Sequence, residues 1–256
     1  MTPVTLITGA SAGIGTELAR IFAKAGDTVV LIARRQDRLT ALSDEIAAAG
    51  HPRPIVLGID LERRDAVATI AAELNARGLE PKNVVNNAGF GLSGAASALR
   101  DGEQLAMIDL NIRALTELSL AFVDSLARHR GGILNVASIA GFLPGPGMAV
   151  YYASKAYVLS FSEALHHELK GRGIRVTALC PGPVQTEFQM RSGMTLPAIA
   201  KLFELPAARV AQIGYDALKS GRRVAIAGLS NRIAVALMHF TPNALLLRAV
   251  SQRTSV

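Results

Sequence analysis

The 256-residue sequence has a single cysteine, Cys180, and no tryptophan. One thiol excludes an intrachain disulfide and fits a reducing compartment. The opening residues MTPVTLITGA enter a β-rich run at once, leaving no room for the basic region and apolar core of a signal peptide. A cytoplasmic location is therefore expected. No stretch reaches the roughly 18 uncharged apolar residues of a spanning helix. The nearest, residues 233–247, is interrupted by His239 and Pro242. Aromatic residues are few although the net charge is +7. Nucleic acid and an anionic cofactor would each suit that charge. The absence of a basic stripe interleaved with aromatics favours the cofactor, and no nucleic-acid partner is expected. A metal site is not expected either. His166 and His167 are adjacent, face different ways on a helix, and have no cysteine or carboxylate set to complete a site. The serines lack the G-x-S-x-G elbow of hydrolases.

Half of the residues are hydrophobic and 18% are charged, a globular composition. Apolar periodicity predicts strands over residues 4–8, 28–33, 54–59, 83–87, 132–138, 174–180 and 223–227. Helices are predicted over 14–25, 37–49, 63–77, 101–128, 152–170 and 210–219. This alternation implies βαβ units. The expected fold is α/β, a Rossmann-type doubly wound parallel sheet of about seven strands with helices on both faces. No linker divides the chain. Residues 1–228 are read as one nucleotide-binding domain containing the site, with 229–256 as its basic apolar C-terminal extension. Residues 185–205 fit the pattern poorly and read as a candidate mobile loop with short helices.

Thr8-Gly9-Ala10-Ser11-Ala12-Gly13-Ile14-Gly15 lies between the first strand and the first helix. Gly9, Gly13 and Gly15 permit a tight turn and close approach of backbone to a pyrophosphate. The helix N-terminus adds free N–H groups and a positive dipole end. A plain strand–turn–helix junction could look similar, but placement at the first crossover favours a phosphate loop. An NAD site would carry an acid about 20 residues further on. Here the residues are Ile32-Ala33-Arg34-Arg35, with no acid. A guanidinium pairs with a 2′-phosphate through charge-assisted bonds, although either arginine would also suit a solvated loop. NADP(H) is preferred over NAD(H), with Arg34 as the main contact and Arg35 beside it.

The loop belongs to an ordered set: Thr8–Gly15, Asp60-Leu61, Asn86-Asn87-Ala88-Gly89, Asn111, Ser138, Tyr151-x-x-x-Lys155 and Pro181-Gly182. In that set the sequence resembles the short-chain dehydrogenase/reductase family, in its branch of roughly 250-residue single-domain enzymes, from about Val4 to Ala227. The resemblance implies that Asp60 and Leu61 contact the adenine. It implies that Asn87, Ala88 and Gly89 line the cofactor, and that Val184 and Thr186, past Pro181-Gly182, hold the carboxamide. With Gly9, Ser11, Ala12, Gly13, Ile14 and Gly15 these complete the expected cofactor site. Arg34 matches the basic position of NADP-preferring members. Ala12 departs from relatives that carry a basic residue there. The resemblance further implies that residues 185–205 act as a substrate loop. A homodimer or homotetramer is also implied.

Tyr151 and Lys155 are four apart and share a helix face. An ammonium nearby favours phenolate, so Tyr151 is expected to trade protons with a carbonyl or alcohol oxygen. Lys155 would also hold the nicotinamide ribose. Ser138, at the end of its strand, would hold the substrate oxygen. By resemblance, Asn111 would hold a water that links Lys155 to solvent. Neighbouring Tyr152 has Ala156, not a lysine, four residues on.

Phe90, Leu92, Ala140, Phe142, Leu143, Met148 and Val150 flank these positions and divide between pocket lining and core. With Phe188, Met190, Met194, Leu196, Leu202 and Phe203 of the substrate loop, they point to a lipophilic carbonyl or alcohol. After Asp216 no acidic residue follows, while residues 233–250 are apolar and the segment carries arginines. This tail could bind an anionic membrane surface, pack against another subunit or cap the pocket; subunit or core packing is favoured over the membrane, because Pro242 breaks a long helix. The rival functions are a catalytically silent NADP-binding sensor or scaffold, and a membrane-surface interaction protein. Silent relatives usually lose the tyrosine or the lysine, and both are intact here.

Overall fold

Neighbouring residues on the central strands point into opposite cores, as the period of two along a strand requires. The computed structural model describes residues 1–193 and 203–242, with 244, 246 and 247. Ile7, Leu31, Val85, Leu134 and Leu179 enter one core, with Leu18 and Phe22. Leu6, Val30, Val84, Ile133 and Val176 enter the other, with Ile70 and Leu118. Only a sheet covered on both faces can bury both sets, which explains the near-continuous apolar strands.

The strands are β1 (Thr2–Thr8), β2 (Thr28–Ala33), β3 (Ile55–Gly58), β4 (Leu79–Asn86), β5 (Gly132–Val136), β6 (Arg175–Cys180) and β7 (Val224–Ile226). They form a seven-stranded sheet in the order β3-β2-β1-β4-β5-β6-β7, and every pairing is parallel. The Rossmann-type fold expected from the sequence is therefore present. The strand order reverses direction between β1 and β4. Open α/β sheets bind ligands in the crevice outside the carboxyl ends at such a switch point. The loops after Thr8 and Asn86 both leave the sheet there.

The helices are α1 (Gly13–Lys24), α2 (Gln36–Ala48), α3 (Ala66–Ala76), α4 (Asp101–Ile108), α5 (Leu115–Ala121), α6 (Val123–Arg128), α7 (Ala149–Lys170), α8 (Glu187–Ser192), α9 (Ala207–Lys219) and α10 (Leu229–Phe240). Three expectations need correction. The helix predicted over 101–128 is interrupted: a π-helical turn, Asp109–Ala114, separates α4 from α5, and Phe122 (φ −116°) separates α5 from α6. Apolar spacing does not register one extra residue in a turn. β4 begins at Leu79, four residues early, because the register skips Lys82 and so admits Pro81 opposite Val4. α7 begins at Ala149, so Tyr151 lies inside the helix rather than just before it.

Candidate active site

The turn between β1 and α1 depends on glycine for two separate reasons. Gly9 and Gly13 adopt left-handed backbone, with φ of 64° and 57°. Gly15 has no such need, but a Cβ there would lie 2.3 Å from the Gly9 carbonyl oxygen and 2.5 Å from Asn87 Nδ2. Asn87 ties the turn to β4 by donating from Nδ2 to the Thr8 (2.9 Å) and Gly9 (3.2 Å) carbonyls. Thr8 Oγ1 accepts from the N–H groups of Asn87 and Ala88, each at 3.0 Å. Thr8 is a missed site residue. Its hydroxyl at the end of β1 was the available signal.

A cavity of about 1310 Å3 runs along the carboxyl edge of the sheet. Gly9, Ser11, Ala12, Gly13, Ile14, Arg34, Arg35, Asp60, Leu61, Asn87, Ala88, Gly89, Ser138, Tyr151, Lys155, Pro181, Gly182, Val184 and Thr186 all line it. Two sequence-predicted residues, Gly15 and Asn111, sit behind this wall. Small-ligand pockets typically hold 300–1000 Å3. This one is large enough for a dinucleotide and a second molecule.

At one end, Arg34 Nη1 lies 3.0 Å from Glu62 and 3.9 Å from Asp60. Arg35 donates to Ser11 Oγ (3.2 Å) in the glycine turn and to Glu187 (2.7 Å) on α8. Arg38 also pairs with Glu187, and this pair, first with Arg38 and then with Arg35, holds the Glu187 carboxyl below its ordinary pKa. The structure thus brings both arginines to the cavity and gives Arg35 the direct link to the turn. Glu187 was not foreseen, since 152 residues separate it from Arg35.

At the other end, Lys155 is buried and its Nζ donates to the Val136 carbonyl at 2.8 Å. Nζ also lies 5.9 Å from the Tyr151 ring centroid. Burial lowers the Lys155 pKa from 10.5 to about 8. Burial likewise raises the Tyr151 pKa from 10 to about 12, against a smaller lowering by the Ser138 hydroxyl. The expectation that the ammonium makes the phenol acidic is therefore not met by the protein alone, where burial sets the direction of the shift. Ser138 caps a short 3₁₀ turn, its Oγ accepting from Ala140 N at 3.1 Å.

Asn111 is fully buried in the π turn. Its Nδ2 donates to the Phe90 carbonyl (2.9 Å) and to Ser154 Oγ (3.1 Å), and its Oδ1 accepts from Phe90 N (3.1 Å). Both amide hydrogens are thus committed to protein groups. A Cβ on Gly89 would meet Asn111 Oδ1 at 2.9 Å and Lys155 Nζ at 3.5 Å, so the three residues converge. Ser154, another unforeseen member, donates in turn to the Tyr151 carbonyl at 2.7 Å.

The apolar end is lined by Phe90, Ala140, Leu143 and Met148, together with Phe188 from α8 and Ala234, Leu237 and Met238 from α10. Leu92 and Val150 instead pack behind the wall around Met107 and Tyr151, and Phe142 joins a separate core. Thr186 caps α8, and the Phe188 ring reaches the Tyr151 ring at 5.4 Å between centroids. Met194, Leu196, Leu202 and the Met190 side chain lie outside the described residues. The contribution of α10 agrees with the reading of the tail as a cap on the pocket.

The glycine cradle, the arginine end and the Tyr–Ser–Lys end match a known family: the model of the short chain dehydrogenases fits residues 3–196. The chain belongs to the short-chain dehydrogenase family. Among relatives, sulfoacetaldehyde reductase 2 of Chromohalobacter salexigens is 38% identical over 193 residues, 74% of this chain and 76% of the relative. The NADP-dependent 3-hydroxy acid dehydrogenase YdfG of Salmonella typhimurium is 38% identical over 190 residues, 72% and 74% of the two chains. Among solved structures, a short-chain dehydrogenase from Sphingobium yanoikuyae in complex with NADPH superposes with a TM-score of 0.80 at 31% identity, covering 94% of this chain and 97% of that one. As in other short-chain dehydrogenases, the fold here is the seven-stranded parallel sheet that carries the cavity along one edge.

Proposed function

We propose that this short-chain dehydrogenase is an NADP(H)-dependent oxidoreductase that interconverts a carbonyl and an alcohol on a lipophilic substrate. One observation carries the reading: a single cavity joins a glycine cradle flanked by Arg34 and Arg35 to an apolar end holding Tyr151, Ser138 and Lys155. The glycine turn fits a pyrophosphate, because Gly9 and Gly13 take left-handed backbone on the cavity wall and α1 begins at Gly13 with its free N–H groups. The NADPH complex and the NADP-dependent relative named above support the choice of cofactor. Arg34 and Arg35 would take its 2′-phosphate, Asp60 and Leu61 its adenine, and Val184 and Thr186 its carboxamide. NAD(H) would bind more weakly.

Bound there, the cofactor supplies or accepts a hydride at the apolar end. Tyr151 supplies the proton. With its pKa raised to about 12 it is a protonated phenol at neutral pH, suited to donate to a carbonyl oxygen. Ser138 Oγ would hold that oxygen. Lys155, at about 8, is mostly charged at pH 7 and would hold the ribose while stabilising the phenolate as it forms. Asn111 and Ser154 position this set through Phe90 and the Tyr151 carbonyl. A lipophilic substrate is supported by the apolar residues that line the Tyr151 end, among them Phe90, Ala140, Leu143, Met148 and Phe188. Leu120 on α5 and Tyr157 on α7 remain exposed on neighbouring helices, joined by a Thr116–Tyr157 hydrogen bond, and would serve a homo-oligomer. The test is NADPH consumption, followed by absorbance, across a panel of lipophilic and anionic carbonyls. Turnover of the lipophilic members supports the reading. Turnover confined to small anionic ones would refute the substrate class, and none at all would leave a cofactor-binding sensor.

A further inference from the structure

Leu229, Ile233, Leu237 and Phe240 recur along α10 at i, i+4, i+8 and i+11, and they are 70%, 53%, 63% and 88% exposed. The opposite side of the helix is anchored, with Asn231 and Val235 buried. Scattered surface leucines need no explanation, but one continuous stripe on a 12-residue helix does. Leu237 also borders the cavity, but neither the cavity nor core packing accounts for Leu229, Ile233 and Phe240. α10 ends at Phe240, two residues before Pro242, so the helix is short, as the proline requires.

Charge points the same way. Arg232 is exposed beside the stripe and pairs with no carboxylate among the described residues. Beyond Asp216 the sequence has no acidic residue, while Lys219, Arg222, Arg232, Arg248 and Arg253 are basic, as is Arg223, which pairs with Glu163 at 3.0 Å.

We propose that α10 docks this protein on an anionic bilayer. The helix lies in the plane of the interface, its apolar stripe immersed and Arg232 at the headgroups. A second copy of the chain fits the same face less well. Twelve residues make a helix about 18 Å long and about 10 Å wide, a footprint of roughly 200 Å2. A stable dimer needs about 800 Å2 per partner. A two-fold pairing would also bring two acid-free, arginine-bearing segments together, whereas phosphate headgroups complement them. The docking does not depend on the catalytic reading.

The experiment is flotation of the full chain with vesicles of phosphatidylcholine alone or mixed equally with phosphatidylglycerol. The wild type is expected to float with the anionic vesicles, to stay behind with phosphatidylcholine alone, and to release in high salt. Ile233→Glu/Phe240→Glu, which leaves the cavity wall untouched, should bind at least about tenfold more weakly with an unchanged circular dichroism melt. Should that variant fail to fold, Arg232→Gln carries the test through an expected loss of about fivefold on anionic vesicles. Failure of the wild type to float overturns the proposal, as does equal flotation of the variants. A shift in the sedimentation of vesicle-free protein on Ile233→Glu/Phe240→Glu would reassign the face to contact between copies.

Discussion

Replacing Lys155 with methionine should stabilise the cofactor-free protein at neutral pH while destroying its chemistry. Methionine keeps the length and apolar stem of lysine but removes the buried ammonium. A pKa that falls from 10.5 in water to about 8 in the fold corresponds to about 3 kcal/mol of penalty on the charged form. Loss of the bond to the Val136 carbonyl returns about 1 kcal/mol of that. The net gain is about 2 kcal/mol at pH 7, a rise of about 4–8 °C in melting temperature for a chain of this size. The sign with pH follows from linkage. Below pH 8 the amine is charged in both the folded and the unfolded chain, and the folded one bears the whole burial cost. Above pH 8 the folded chain sheds the proton while the unfolded chain keeps it until 10.5, so wild-type stability rises. Between pH 7 and 9 the gain is about 1 kcal/mol. Tyr151 and Cys180, both raised to about 12 by burial, pull the other way only above about pH 9. Urea unfolding of both proteins at pH 7, 8 and 9 measures this. The advantage of Lys155→Met should shrink with rising pH. A variant less stable than wild type at pH 7, or two curves that run parallel, would refute the electrostatic account of the site.

Gly15→Ala should weaken NADPH binding by at least tenfold and lower stability by about 1–3 kcal/mol, because its Cβ would lie 2.3 Å from the Gly9 carbonyl oxygen. Isothermal calorimetry and thermal melts check both numbers. Arg34→Ala and Arg35→Ala should each weaken NADPH far more than NADH, since a lost charge-assisted bond to phosphate is worth about 1.5–3 kcal/mol. Equal losses for the two cofactors would count against a 2′-phosphate site at these arginines.

Much of this molecule is legible in its sequence because βαβ units write their boundaries locally. The run at Val29–Ala33 is apolar throughout and that at Val176–Cys180 is broken only by Thr177, since both faces of those strands are covered. The glycine turn is legible for a similar reason: Gly9 and Gly13 answer to their own backbone angles. What escaped depends on partners remote in sequence. Glu187 matters because α8 folds against α2 and meets Arg35 and Arg38. Ser154 is an ordinary helix residue until the π turn presents Asn111 to it. The exposed stripe of α10 consists of two leucines, an isoleucine and a phenylalanine that composition alone assigns to the interior. The acidity of Tyr151 was also misjudged, because helix spacing gives its distance from Lys155 but not the burial that raises its pKa.

The central claim is that the Tyr151 hydroxyl moves the proton in a site otherwise built for binding. It is tested most directly by Tyr151→Phe, comparing NADPH affinity by calorimetry with turnover of a carbonyl that the wild type reduces. Affinity within about twofold of wild type and a loss of turnover of at least about 100-fold is the predicted result. A variant that reduces the same carbonyl at close to the wild-type rate would contradict it.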